Sequence, residues 1–309
     1  MRAIIYGLVA SFFFAFTFIL NRSMELDGGS WAWSASLRFF FMLPMLWLIV
    51  RRRGNLADSF KHLAKHPREY LVWSTAGFGL FYAPVCFGAA FGEGWLVAGT
   101  WQLTIIAGPL LSPFLFKPDP DSEPRPFYRH IPFAAMRWSL LILAGIVLMQ
   151  WEHAREISLR QALLCVLPIV VAAFMYPLGN RKMMEVCKDT VDTFQRVLNM
   201  TVASQPFWIL LALWGLAGHG LPSGSQVFQS LLVALFSGVI ATVLFFAATN
   251  LVKRDPARLA SVEATQAGEI LFALAGELLL LSAPLPSALS LTGIGLVILG
   301  MVLHSLRGS

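Results

Sequence analysis

The chain has 309 residues, of which 57% are hydrophobic and only 13% charged, with a formal net charge of +6. A soluble domain carries about 25% charged residues, so this chain lacks the polar surface to cover its apolar mass in water. The basic residues sit in short loops between apolar runs, which assigns the charge to membrane topology rather than to nucleic-acid binding.

A spanning helix takes about 20 mostly apolar residues. Ten runs qualify: Ala3 to Leu20, Trp31 to Val50, Tyr70 to Gly92, Trp95 to Phe116, Ala134 to Trp151, Leu159 to Gly179, Thr193 to Leu216, Val227 to Leu251, Ala257 to Leu281 and Ser287 to Leu306. The first run follows Met1-Arg2. It is long for a signal peptide, and no small-x-small site precedes Asn21-Arg22, so it reads as the first span.

Loop charge orients the chain. With the N-terminus inside, the inner loops hold Arg2, Arg51, Arg52, Arg53, Lys61, Lys65, Arg68, Lys117, Arg125, Arg129, Arg137, Arg181, Lys182, Lys188, Lys253, Arg254, Arg258 and Arg307, which is 18 basic residues. The outer loops hold 3, namely Arg22, Arg155 and Arg160. That bias predicts both termini on the cytoplasmic side. An odd number of spans would break the alternation.

A faint repeat aligns Phe81 to Pro109 with Thr242 to Ile270. In each, an apolar helix with paired alanines meets a tight turn, and a second helix follows at once. The expectation is an all-α polytopic membrane protein with ten transmembrane helices as two inverted repeats, residues 1–151 and 152–309. The ligand site of such a plan lies at the midplane between the halves.

Ionisable groups inside spans cost at least about 2.5 kcal/mol each, so they mark cavities or partners. The ninth span carries Glu263, Gln266, Glu269 and Glu277 within an arc of roughly 120° on a 3.6-residue helix. Leu271, Leu274 and Leu278 form its apolar back. A carboxylate there can exchange a proton for a cationic or polar solute. Fixing the packing through an arginine is the other role open to it. Arg38, in the second span, is a candidate for an ion pair or gate, for snorkelling, or for binding a carboxylate substrate. Glu277 is the other ion-pair or gating candidate.

Trp101 and Gln102 in the fourth span, with Tyr82, Tyr176 and Asn250, complete the candidate substrate or proton site. The repeat places Gln102 opposite Glu263. Pro84, Pro109, Pro168, Pro177 and Pro206 are candidate hinges. Gly293, Gly295 and Gly300 allow close helix contact, within a monomer or across a homodimer. Cys86, Cys165 and Cys187 have no metal spacing, and HExxH, CxxC, P-loop and GxSxG patterns are absent from the sequence. No metal, cofactor or enzymatic activity is therefore expected.

Arg38-Phe39, the Pro-containing fourth span and the two five-helix halves resemble the drug/metabolite transporter superfamily. Val262 to Glu269, followed by Gly276-Glu277, is similar to the ninth-helix signature of its ten-helix multidrug-resistance efflux branch, with EamA-like inverted repeats. Gly94 to Gln102 is similar to the matching turn between the third and fourth helices. The resemblance implies an exporter with a central cavity lined by helices 1, 3, 4, 6, 8 and 9. Four-helix relatives couple protons through a first-helix glutamate, but the first span read here holds no acid.

The expected function is export of small amphipathic or amino-acid-like solutes or drugs by alternating access, with proton coupling through the ninth-span carboxylates. The alternative is a facilitative, uncoupled metabolite exporter. A membrane-embedded enzyme would need a nucleophile or metal cluster at membrane depth, and a sensor would need a signalling domain. The expected location is a bacterial inner (cytoplasmic) membrane.

Overall fold

The computed structural model describes residues 1–115, 138–156, 158–188, 190–253 and 255–307. The expectations for Phe116, Lys117, Arg125, Arg129, Ala134, Arg137 and Arg254, and for the side chains of Pro109, Arg155 and Arg307, lie outside them. Backbone polar groups in lipid must be satisfied within the chain, so long apolar runs fold as helices. Every element among the described residues is helical.

The helices are α1 (Arg2–Leu26), α2 (Trp31–Arg52), α3 (Leu56–Lys65), α4 (Pro67–Ala89), α5 (Gly94–Trp101), α6 (Thr104–Leu115) and α7 (Ser139–Glu156). They continue with α8 (Leu159–Cys187), α9 (Thr193–Ala203), α10 (Gln205–His219), α11 (Gly224–Val252), α12 (Pro256–Ala264), α13 (Gly268–Leu280) and α14 (Ala288–Arg307). Five of them, α1, α2, α4, α8 and α11, are long and apolar enough to cross a membrane, and the bent pair α9–α10 makes a sixth. Exposed apolar stripes such as Ile5, Leu8, Val9 and Phe12 on α1 and Leu163, Leu167 and Val171 on α8 suit lipid contact. In water they would be aggregation surfaces. The chain is a multi-pass membrane protein.

α1 packs against α11, α13 and α5. It continues past Leu20 to Leu26 and so takes Glu25 into the helix, where the sequence reading placed no acid. Several of the helices are interrupted. α4 holds a π-helical stretch at Thr75–Gly79, and α11 holds one at Ala234–Ala241. The α5–α6 helix breaks at Gln102 and Leu103, and the α12–α13 helix breaks into a 3₁₀ turn at Thr265–Ala267. The anticipated hinge at Pro206 lies at the 46° bend between α9 and α10. α8 continues as one helix through Pro168 and Pro177.

Glycine sets the closest crossings. Gly77 of α4 and Gly179 of α8 meet backbone to backbone, so a Cβ on either would run into the other. Gly145 of α7 faces Gly293 of α14, and Gly300 packs on Ile142 and Trp138. Gly293 and Gly300 thus serve packing within the chain. Gly179→Ala is expected to cost about 1–3 kcal/mol through overpacking. Denaturant unfolding in detergent micelles would measure it, and a variant as stable as the parent would count against this contact.

The segment between α2 and α4 forms the helix α3. α3 is too short to span and turns Leu56, Ser59 and Leu63 inward. It straps distant segments together. The Ser59 hydroxyl donates to Asn199 Oδ1 at 2.8 Å, and Asn199 Nδ2 donates to the Ser59 carbonyl at 2.9 Å and to Tyr70 Oη at 3.2 Å. His62 Nδ1 lies 3.0 Å from Tyr70 Oη. Arg53 pairs with Asp192, the N-cap of α9, at 3.1 Å.

Burial, then the nearby His66 and Lys65 charges, lowers the His62 pKa from its ordinary value. A histidine lowered in the folded state destabilises it as pH falls below the unfolded value of about 6.5. Protection of the amides of residues 56–65 against hydrogen exchange, relative to their intrinsic rates at each pH, should therefore fall below that pH. His62→Gln should remove the pH dependence, and an unchanged profile in that variant would refute the assignment.

Candidate functional site

Where α1, α4, α5, α8 and the α12–α13 break converge, a small interior cavity forms. Its wall holds Phe14, Thr17, Phe18, Phe81, Val85, Trp101, Tyr176, Gln266 and Glu269, around about 10 Å³ of free space. That is room for about one water molecule, so this conformation is closed around the site. The walls are aromatic. Phe81 lies 4.8 Å from Trp101 and 4.6 Å from Tyr176, and Tyr176 lies 5.8 Å from Phe245, between ring centroids.

Glu269 stands in the first turn of α13, 1% exposed, and neither carboxylate oxygen has a hydrogen-bond partner among the described residues. A carboxylate buried without a donor is expensive and has to be neutralised by what it binds. The Tyr176 hydroxyl is also without a partner among the described residues. Thr17 bonds to Ser237 in the π-helical stretch of α11, which links the cavity wall to that irregular segment.

Glu263 occupies different surroundings. Both its oxygens accept from Arg181 Nη2 at 2.9 Å, and Arg181 Nη1 donates to the carbonyl of Gly108. The pair is buried, at 2% and 6% side-chain exposure. Gly108 has no room for a Cβ, which would strike the Glu263 carboxylate and Arg181. Sequence reading counted Arg181 among the loop cations. α8 instead runs on to Cys187 and carries it inside. The signal was the four-residue spacing of Ala173, Pro177 and Arg181, all on one buried face.

The other candidates separate. Trp101, Tyr176, Gln266 and Glu269 meet at the cavity. Gln102, fully buried at the α5–α6 break, turns its amide back to the Ala98 carbonyl at 3.0 Å, and its own oxygen has no partner among the described residues. Tyr82 lies behind the wall, bonded to Asn21. Asn250 lines a separate groove with Lys253, Asp255 and Arg258.

Arg38 does not form the anticipated ion pair among the described residues. Its guanidinium lies 4.0 Å over the Tyr82 ring, with Nη1 3.5 Å from the Thr17 hydroxyl. Sequence reasoning did not single out Phe14, Phe81 or Thr17, whose types are ordinary in any apolar span. Among the described residues no group of His, Cys, Asp and Glu is arranged to hold a metal ion.

Glu277 is likewise no ion-pair partner among the described residues. It accepts from the backbone N–H groups of Gly94 at 2.8 Å and Trp95 at 3.2 Å, and so caps the N-terminus of α5 from α13. Removing that acceptor strands two buried donors. Glu277→Ala is expected to cost about 1–3 kcal/mol in unfolding experiments. A change within error would show that other groups cap α5.

A family model described as "EmrE: Putative multidrug resistance efflux transporter" matches residues 1–309. The chain is 54% identical over 306 residues to "Uncharacterized protein YjlA" of Bacillus subtilis (strain 168), covering 99% of this chain and 94% of that protein. It is 48% identical over 269 residues to the "Uncharacterized 42.1 kDa protein in intracellular alkaline protease 3'region" of Shouchella clausii, covering 87% and 70%. A solved chain described as "Crystal structure of protein" shares the fold, with a TM-score of 0.67 at 15% identity over 99% of this chain and 97% of that one. With the family match running the full length, this chain belongs to the EmrE-like multidrug resistance efflux transporter family of the drug/metabolite transporter superfamily.

Proposed function

We propose that this chain exports small amphipathic or amino-acid-like solutes across the bacterial cytoplasmic membrane by alternating access, with Glu269 exchanging a proton for the solute's cationic group. One observation carries the reading: Glu269 is the buried carboxylate on the aromatic cavity wall, without a hydrogen-bond partner among the described residues. Glu263 is committed to Arg181, and exchange there would first have to break a buried ion pair. Aromatic faces beside a carboxylate suit an amphipathic cation, which gains ring contact and charge neutralisation together.

The proposed architecture is ten spans in two inverted halves, residues 1–151 and 152–309, with both termini inside. The paired interruptions support it. The π-helical stretches in α4 and α11 lie five proposed spans apart, as do the breaks after α5 and after α12. Such irregular backbone is tolerated at membrane depth where it lines a cavity.

The test is solute exchange by the purified protein in liposomes. Amphipathic cations and amino acids should accumulate by counterflow well above protein-free vesicles, and an imposed pH gradient should drive that flux. Counterflow indifferent to the gradient would replace antiport by facilitative export. Absence of exchange for the whole panel would refute transport of this solute class.

A further inference from the structure

Arg38 is the second charge near the cavity that the protein itself leaves unanswered. It is 2% exposed, within α2. A guanidinium offers five donors. Here one long contact, at 3.5 Å to Thr17, is its single hydrogen bond among the described residues, and Nε has none. The guanidinium also lies 4.0 Å over the Tyr82 ring. Thr17 belongs to the cavity wall, as does Glu269. Arg38 thus stands behind Thr17, beside an aromatic space whose wall carries the unpartnered carboxyl group of Glu269.

We infer that the transported solute is a zwitterion, whose ammonium group meets Glu269 and whose carboxylate meets Arg38 once the cavity opens. The inference rests on the reading of Glu269 above and adds the anionic half of the solute. A simple cation would neutralise Glu269 and leave Arg38 buried and unanswered. A zwitterion satisfies both and brings no net charge into the membrane. The guanidinium's paired N–H groups match a carboxylate with two parallel bonds. The rings of Phe81, Trp101 and Tyr176 supply the apolar wall between the charges.

Three probes share one ring: phenylalanine, phenethylamine, which lacks the carboxylate, and 3-phenylpropionate, which lacks the amine. Initial exchange rates are compared in proteoliposomes of the parent, Arg38→Gln and Arg38→Lys. The parent should prefer phenylalanine over phenethylamine by about tenfold or more, the worth of a charge-assisted hydrogen bond. Arg38→Gln should bring that ratio near one, and Arg38→Lys should fall between, since lysine keeps the charge without the fork.

Thermal stabilisation of the parent protein should rank phenylalanine first, without recourse to any variant. Equal loss of both amines in Arg38→Gln, or a parent that prefers phenethylamine, would overturn the zwitterion and leave cation transport standing. If the parent moved neither these probes nor amphipathic cations, both readings would fall.

Discussion

Replacing Arg181 by Met should lower the stability of the folded protein by about 3–5 kcal/mol, because it leaves the buried Glu263 carboxylate without its partner. Glu263→Leu alone should cost a comparable amount by stranding the guanidinium. The two replacements together should cost much less than their sum, since the desolvation of both charges disappears with them. Unfolding of the two single variants and the double variant in the same detergent closes the cycle. Strict additivity would mean that the pair seen between α8 and α12 does not exist in the folded protein. The prediction separates two glutamates six residues apart, giving Glu263 a place in assembly and leaving Glu269 for chemistry.

Glu269→Gln should abolish transport, lowering exchange by about 100-fold or more if the carboxylate supplies both the cation site and the proton. An amide of the same shape cannot take either charge. The protein should nevertheless unfold at about the same temperature, because the carboxyl group it replaces has no hydrogen-bond partner among the described residues to lose. Loss of function with retained stability is the signature of a group kept at a cost to the fold. A sharp loss of stability instead would make Glu269 a structural residue with a partner beyond those described. Glu269→Asp keeps the charge and should retain part of the flux.

Sequence made legible what depends on composition and period. Apolar length identified the long spans α1, α2, α4, α8 and α11, and helical spacing put Gln266 and Glu269 on one face of the helix that reaches the cavity. The α3 strap escaped because hydropathy detects length, and its amphipathic ten residues are too few to span. The difference between Glu263 and Glu269 escaped because it depends on Arg181, 82 positions before Glu263 in the chain. Equal spacing along a helix carries no information about what faces each group. The breaks at Gln102 and Thr265 were equally hidden, since neither site holds a proline, and they decide which way Gln102 turns.

The most direct measurement is proton release on solute binding. Purified protein in weakly buffered detergent, mixed with a transported cationic or zwitterionic solute, should acidify the solution by about one proton per site. Glu269→Gln should release none, while Glu263→Gln, where it folds, should release as much as the parent. Release that persists in Glu269→Gln, or its absence from the parent despite solute binding, would contradict proton exchange at Glu269.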